Sequence, residues 1–561
     1  MTAKTYPWEK SYAPGSHWHE TFHGKPLYYL LDEAVKQWPH NVALDFFGKT
    51  YSYAKLSDMV NRIARGLQEI GVGKGTRVGL FMPNCPQYVM CYYAVLKAGG
   101  TVVNFNPLYS GHEIEHQLKD AAVEIMMTVN LRVTYDKLIP FIGKTSMRKI
   151  VVGNFAEAMP MTKRALYTAA KAKDIAHPPH DSNHITLNQL LESDPIVHAP
   201  NIMPDTHLAV LQYTGGTTGV PKGAMLSHSN LYANVMQCSQ WMVGLKPGEE
   251  IMLAVIPFFH VFAMTVALNL AIANGMTIII HPKFDLKHVL SDIDVKKPTL
   301  MPGVSTLYAT INNARTLDKY DLSSIKYCIS GGGPLPVEVK LQFEKITGCV
   351  LVEGYGLTES SPVTHCNPLI GTNKTGSIGL PLPGTMVEVI DKDDRVTVLK
   401  PGEIGEICIS GPQVMLGYLN RPDESDNVLR NGRLHTGDLG YVDADGYFFI
   451  VDRLKEMIIV GGYNVYPRNV EEEIYSNPNV AECAVVGLKH ATRGQMIKAY
   501  IVLKSGCTLD EEGLRDYLKP RITAYALPHA VEFRDSLPKS AIGKILKKEL
   551  VAEENAKAKS G

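Results

Sequence analysis

Nowhere in the 561 residues do two cysteines stand as Cys-x-x-Cys. The nine that occur (Cys85, Cys91, Cys238, Cys328, Cys349, Cys366, Cys408, Cys483 and Cys507) are scattered and odd in number. Such a set argues against a disulfide framework and against a zinc site, and reads as small buried hydrophobes in a reducing compartment. Excess charge is missing too: 56 Lys and Arg balance 56 Asp and Glu. No global field would hold DNA or an acidic membrane, so a nucleic-acid partner has no electrostatic support and none is expected. The opening MTAKTYPWEKSYAPG has no apolar run of the kind a secretory leader needs. There is no Gly-x-Ser-x-Gly for a serine nucleophile and no His-Glu-x-x-His for a metal-bound water. Internal repeats are absent, and the one biased segment, the tail AEENAKAKSG, is expected to fray.

One absence points the other way. From Ile251 to Pro282 there is no Asp, Glu, Lys or Arg, long enough for a membrane span. Pro257, His260, Asn269, Asn274 and Gly275 interrupt it, however. A span would also separate glycine-rich segments that precede and follow it. Buried core plus a substrate pocket is the better reading.

The length calls for at least two domains. Short apolar runs followed by Gly, Pro or Asn and then by amphipathic stretches predict parallel sheets covered by helices. These are RVGLFM (77–82), TVVNF (101–105), EIMMTV (124–129), TIIIH (277–281), KYCIS (326–330) and CVLVE (349–353). After about residue 375, TMVEVID, GEICISG and GYFFIVDR alternate with period 2, as in a small antiparallel unit. A compact α+β pattern follows VDRLKEMIIVGG. The expected architecture is α/β: a large N-terminal domain (1–452) of parallel-type sheets sandwiched by helices plus a small β unit, then a small α+β domain (453–561).

What the chain has in plenty is glycine and threonine in QYTGGTTGVPKG (212–223). This is a phosphate-loop composition without the P-loop pattern, because Lys222 follows Pro221 and no helix begins there. Glycine amides, three hydroxyls and Lys222 would do the holding. GYGLTE (354–359) fails the dinucleotide fingerprint, since Glu359 stands where a third glycine belongs. Tyr355 suits stacking on a base, Thr358 a phosphate contact, and Glu359 a Mg²⁺ ion, which takes one or two carboxylates; the alternative is a helix start capped by Thr358. Asp438 in LHTGDLG and Arg453 in DRLKEM suit a ribose, or else a turn and a solvated charge run. His260, in IPFFHVFAM, reads by itself as a satisfied core histidine, and Lys544 in PKSAIGKILKKEL as surface.

In order, YTGGTTGVPKG, PFFH, GYGLTE, TGD, DRLKEMIIVGGYNVYP and PKSAIGK resemble the motif set of the adenylate-forming superfamily, over about residues 28–550. NFNPLYSGHEIEHQL, GGGPLP and GPQVMLGY resemble its bacterial long-chain fatty acid–CoA ligase branch, as does Gly215, where many members carry serine. The resemblance implies ATP-dependent formation of an acyl-adenylate, then transfer to CoA with release of AMP and pyrophosphate, using ATP, Mg²⁺ and CoA. It assigns Thr214, Gly215, Gly216, Thr217, Thr218, Gly219 and Lys222 to the pyrophosphate end. Gly331, Gly332, Gly333, Gly354, Tyr355 and Gly356 fall to the adenine side, Thr358 and Glu359 to the α-phosphate and Mg²⁺, and Asp438 with Arg453 to the ribose. Lys544 becomes the adenylation lysine and His260 an orienting group near the carboxylate. The small domain 453–561 becomes a mobile lid. Lys455 takes the hinge position, Gly461, Gly462 and Tyr463 the CoA tunnel, and Phe259, Val261, Met301, Gly303 and Val304 the acyl pocket.

Within this reading a ligase for medium-chain or other small acids is the main alternative. An adenylation module feeding a carrier protein and a catalytically idle fatty-acid-binding protein are the others. A cytoplasmic location is expected, with peripheral contact at the inner face of a membrane and a homodimer both compatible with the sequence.

Overall fold

The computed structural model describes residues 6–214, 221–460, 463–490, 494–541 and 543–560. Its first sheet has seven strands, in the order His184–Thr186, Lys149–Gly153, Ile125–Val129, Arg77–Phe81, Thr101–Asn104, Leu208–Thr214 and Lys222–Ser227. All neighbours run parallel except the last pair. Ile125–Val129 is buried at every position, as expected of a strand covered by helices on both faces.

A second sheet orders Ile251–Ala254, Thr277–Ile280, Val42–Phe46 and Lys49–Ser52. It continues into a third, Tyr327–Ser330, Val350–Gly356, Val363–Cys366 and Leu380–Pro381. The join is the extended stretch around Leu300 and Gly303, which bridges Met252 on one side and Tyr327 and Ser330 on the other. Between the sheets lies the helix Pro86–Ala98, buried at every residue but Lys97. Pro86 starts it, where a missing N–H costs nothing, and Gly99 (φ +94°) stops it in the left-handed region. Lys97 escapes to Asp32 at 2.5 Å.

The uncharged span 251–282 is thus a strand, an interrupted helix and a second strand. The helix turns from α at Val261–Ala263 to π at Met264–Asn269 and back to α at Leu270–Ala273. No described helix is long and apolar enough to cross a membrane.

Residues 386–453 form a five-stranded antiparallel unit whose last strand, Phe448–Arg453, lies against Arg433–Val442. After the turn 454–457 the chain enters another five-stranded sheet, ordered Tyr463–Val465, Ile458–Val460, Gly494–Leu503 and Val480–His490, with Ala530–Phe533 pairing parallel to Gly494–Leu503. This part buries a core of its own, including Ile474, Val485, Ile497 and Leu514. The tail, expected to fray, instead continues the helix Lys547–Ser560, seated by buried Leu550 against Tyr500 and Leu537.

Candidate active site

The glycine- and threonine-rich loop joins two antiparallel strands, with Thr214 opposite Lys222. Gly215, Gly216, Thr217, Thr218 and Gly219 lie outside the described residues. Lys222 sits over the ring of Tyr418, 5.2 Å from its centroid, and ion-pairs with Glu424. The Tyr418 hydroxyl donates to Glu359 Oε1 at 2.6 Å. Burial, and then the Glu359 charge, push that phenol far above its usual range, so it remains a donor. Among the described residues no group donates to Glu359 Oε2, and the Met415 amide fixes the Glu359 backbone at 2.8 Å. Thr358 does not act as a cap: Leu357 holds the cap position and Thr358 begins a single 3₁₀ turn.

Asp438 and Arg453 are direct partners on adjacent antiparallel strands. Arg453 Nε lies 3.3 Å from Asp438 Oδ1, and Tyr355 donates its hydroxyl to Asp438 Oδ2 at 2.6 Å. The turn that presents Asp438 is fixed from below. Thr436 Oγ1 donates to the Ile407 carbonyl at 2.7 Å and accepts from the Asp438 amide at 3.0 Å. Glu406 accepts the Gly437 amide on one oxygen at 3.0 Å and faces His435 Nδ1 with the other at 2.8 Å. Cys408 Sγ stands 3.3 Å from the same nitrogen. Glu406, Cys408 and His435 therefore form a compact buried set of potential metal-binding atoms, which the scattered spacing of cysteines along the chain did not suggest. Its carboxylate is committed to the turn.

The glycines line the other side for steric reasons. A Cβ on Gly331 would lie 2.9 Å from the Phe262 ring, and one on Gly356 only 1.9 Å from the Pro362 carbonyl oxygen. Gly332 adopts φ +78°, and Gly354 pairs with Cys366 against Ile329.

Lys544 reaches this site from the far end of the chain. The Gly543 carbonyl accepts from Thr306 Oγ1 at 3.3 Å, and the Lys544 backbone is clipped to Ser540 through bonds of 2.8 and 3.2 Å. The positive charge of Arg453, then burial, hold the Lys544 ammonium down to about 8. It keeps solvent contact all the same. His260 is pushed down to about 4 by burial and by Lys544. Its Nδ1 accepts the Phe262 amide at 3.3 Å, which assigns the proton of the neutral ring to Nε2.

A small apolar cavity of about 10 Å³, room for about one water, is lined by Met242, Met252, Val266, Leu270, Leu300, Pro302, Tyr327 and Ile329. The pocket residues expected from the sequence, Phe259, Val261, Met301, Gly303 and Val304, are not on its wall. The reason is the period of an extended chain. Leu300 and Pro302 face the cavity, whereas Gly303 packs on the Tyr308 ring and Tyr308 donates to the Met301 carbonyl at 2.8 Å. Val304 instead lies under Gly543. Lys455 is exposed in the turn between the two last sheets. Gly461 and Gly462 lie outside the described residues, and Tyr463 stacks on Tyr525 at 4.7 Å.

Sequence reasoning missed Tyr418, Glu406 and Thr436. The aromatic end of GPQVMLGY was the only signal for the first, and the other two act through backbone groups that leave no spacing pattern.

Comparison with known proteins agrees with this geometry. The AMP-binding enzyme family matches residues 31–419, and the AMP-binding enzyme C-terminal domain matches residues 469–544. A long-chain-fatty-acid–CoA ligase of Bacillus subtilis (strain 168) is 44% identical over 553 residues, 98% of each chain. One from Escherichia coli O157:H7 is 37% identical over 536 residues, 94% of each. The crystal structure of ATP-bound MatB from Rhodopseudomonas palustris superposes with a TM-score of 0.83 at 28% identity, covering 95% of this chain and 99% of that one. With both segments matched in order and relatives alike over nearly their whole length, the chain belongs to the AMP-binding enzyme family.

Proposed function

We propose that the protein activates a long-chain fatty acid in two steps. First the acid's carboxylate oxygen attacks the α-phosphorus of ATP; an acyl–phosphate bond forms and the bond to pyrophosphate breaks. Then the CoA thiol, giving up its proton, attacks the acyl carbonyl, and AMP leaves. A carboxylate is a poor acylating agent at neutral pH, and the first step supplies its leaving group.

The observation that carries this reading is the meeting of Lys544, Arg453 and Asp438 with a neutral His260 that feels the Lys544 charge. Asp438 takes the ribose hydroxyls, oriented by Tyr355 and Arg453. Lys544 bridges carboxylate and α-phosphate, where fixed positive charge stabilises the transition state. Its lowered pKa supports this role: the Arg453 charge is felt at Lys544 even with Asp438 beside it, and an arriving polyanion relieves that repulsion. His260 donates from Nε2 and orients the carboxylate; it is no general base. Glu359, whose second oxygen has no donor among the described residues, suits a Mg²⁺ ion that keeps most of its waters. Such an ion would neutralise charge on the departing phosphates.

We place the acyl chain along Val266, Leu270 and Pro302, around a cavity of about 10 Å³ that must widen to admit it. Each buried methylene adds about 0.8 kcal/mol, and the names of the Bacillus and Escherichia relatives support long acids. The chain works as two bodies, 1–452 and 453–561, turning at Lys455 so that Lys544 withdraws and the segment with Tyr463 meets the pantetheine arm. The reaction asks for no second chain, and we place it in the cytoplasm, where ATP and CoA are supplied.

Incubation with ATP, Mg²⁺, CoA and acids of graded length, with products identified by mass, tests the reading. Hexadecanoyl-CoA with AMP is expected. Acyl-AMP without any CoA product overturns the second step, and binding without either product identifies an idle binder.

A further inference from the structure

The helix Met161–Ala170 buries none of its ten residues. Only Tyr167 is half-covered, by the ring of Phe155 at 5.7 Å. At about 3.6 residues per turn, Ala165 and Ala169 lie opposite Tyr167, with Met161 and Leu166 on the two flanks of that face, about 140° apart. That face points to solvent, with Met161 86% and Leu166 70% exposed. The charged side chains point the other way. Lys163 donates to the Phe47 carbonyl at 2.9 Å, and Arg164 donates to Glu157 at 3.3 Å. A surface helix normally turns its apolar stripe inward; this one is inside out.

So short a helix has little stability of its own. It is held at both ends, by buried Phe155 and Ala158 before it and buried Ile175 and Ala176 after it. The result is a handle that presents apolar side chains on a fixed mount. Lys163 and Arg164 turn back to the protein, so the cations left for a solvent partner are Lys171, which also lies 3.2 Å from Asp174, and Lys173. Lys171 and Lys173 are both exposed at the helix end.

We infer that the helix Met161–Ala170 docks the protein on an anionic phospholipid surface, with Met161 and Leu166 entering the headgroup boundary and the lysines meeting lipid charge. A partly apolar helix rimmed by cations is the form that binds in a membrane interface. A second copy of the chain is a poorer occupant. A two-fold contact would set the cationic rim against itself, and a helix about 15 Å long covers too little area for a stable dimer. The inference stands apart from the catalytic reading, because it concerns a face of the molecule that the acyl cavity does not use.

The test is flotation of the full chain with vesicles of phosphatidylcholine, with and without phosphatidylglycerol, both free of fatty acid. Binding to the phosphatidylglycerol vesicles is expected, weakened about tenfold without anionic lipid and reduced by high salt. Met161→Glu/Leu166→Glu should weaken it by about tenfold or more. Lys171→Glu/Lys173→Glu should remove most of the salt-sensitive part. Both variants change exposed side chains, so ATP–pyrophosphate exchange and thermal midpoint should match the parent and verify folding. In a further variant, Leu166→Trp, indole emission should shift to the blue on vesicles. Undiminished binding by the Met161→Glu/Leu166→Glu variant overturns the proposal. So does a parent that ignores anionic vesicles, or one whose helix face instead drives self-association that the same variant abolishes.

Discussion

Arg468 Nη2 lies 3.4 Å from Glu353 Oε1, joining a residue that follows Lys455 to one that precedes it. Both residues are buried, and the Arg468 amide also donates to Asp452 Oδ2 at 2.9 Å. Burial pushes the Glu353 carboxyl up to about 7, against the opposing pull of Arg468. In water a glutamate titrates near pH 4.3, roughly. The docked arrangement therefore holds a proton that an undocked Glu353 would release. Docking is strongest at acid pH, weakens as pH rises from about 4 to about 7, and is level above that. Energy transfer between dyes on the two parts should report separation increasing across this window. Glu353→Gln should flatten the profile, and an unchanged profile in that variant would remove Glu353 from the account.

Lys544 gives a second titration. With the amine held to about 8 mainly by Arg453, its modification by an amine reagent should follow an apparent pKa near that value. Arg453→Gln removes the largest cause and should raise the apparent pKa toward that of a free lysine. ATP, bringing negative charge, should raise it as well. An apparent pKa of an ordinary lysine in the free enzyme would count against the contact with Arg453.

Lys544→Ala should separate the two half-reactions. Adenylation, followed by acid-dependent ATP–pyrophosphate exchange, is expected to fall by about a hundredfold or more, as when a preorganised charge is removed from a transition state. Thioester formation from supplied acyl-AMP should survive. Equal loss in both assays would argue that Lys544 stays in place through the whole cycle.

The parallel strands, the antiparallel unit near residue 386 and the change of texture after Arg453 were all legible from local hydrophobic period and turn residues, because those depend on neighbours in sequence. Asp438 and Arg453 were both singled out, yet the reason they meet is a register between strands that no local pattern displays. Lys222 marked the loop, but its neighbours Tyr418 and Glu424 lie about two hundred residues away. The π turn at Met264–Asn269 was hidden as well, since an unbroken apolar run carries no periodic signal to reveal it. Leu300 faces the cavity and Met301 does not, a distinction local pattern cannot draw, because in extended chain one residue's slip exchanges the two sides.

The cavity wall predicts how chain length is read. Val266, in the π turn, and Leu270, at the start of the following α turn, face the same space from one element. Once the cavity widens to admit a long acid, a larger side chain at Val266 takes volume that its terminal methylenes would occupy, while leaving the carboxylate end near His260 and Lys544 untouched. Each methylene excluded removes about 0.8 kcal/mol, roughly fourfold in kcat/KM. For Val266→Phe, kcat/KM measured across acids of increasing length should fall by about tenfold for the longest and stay near the parent's for short ones. The element is buried, so overpacking would itself lower stability by about 1–3 kcal/mol; Val266→Ala provides the opposite change, with room gained rather than lost. If both variants shift all chain lengths equally, the acyl chain lies elsewhere and this cavity is only a packing defect.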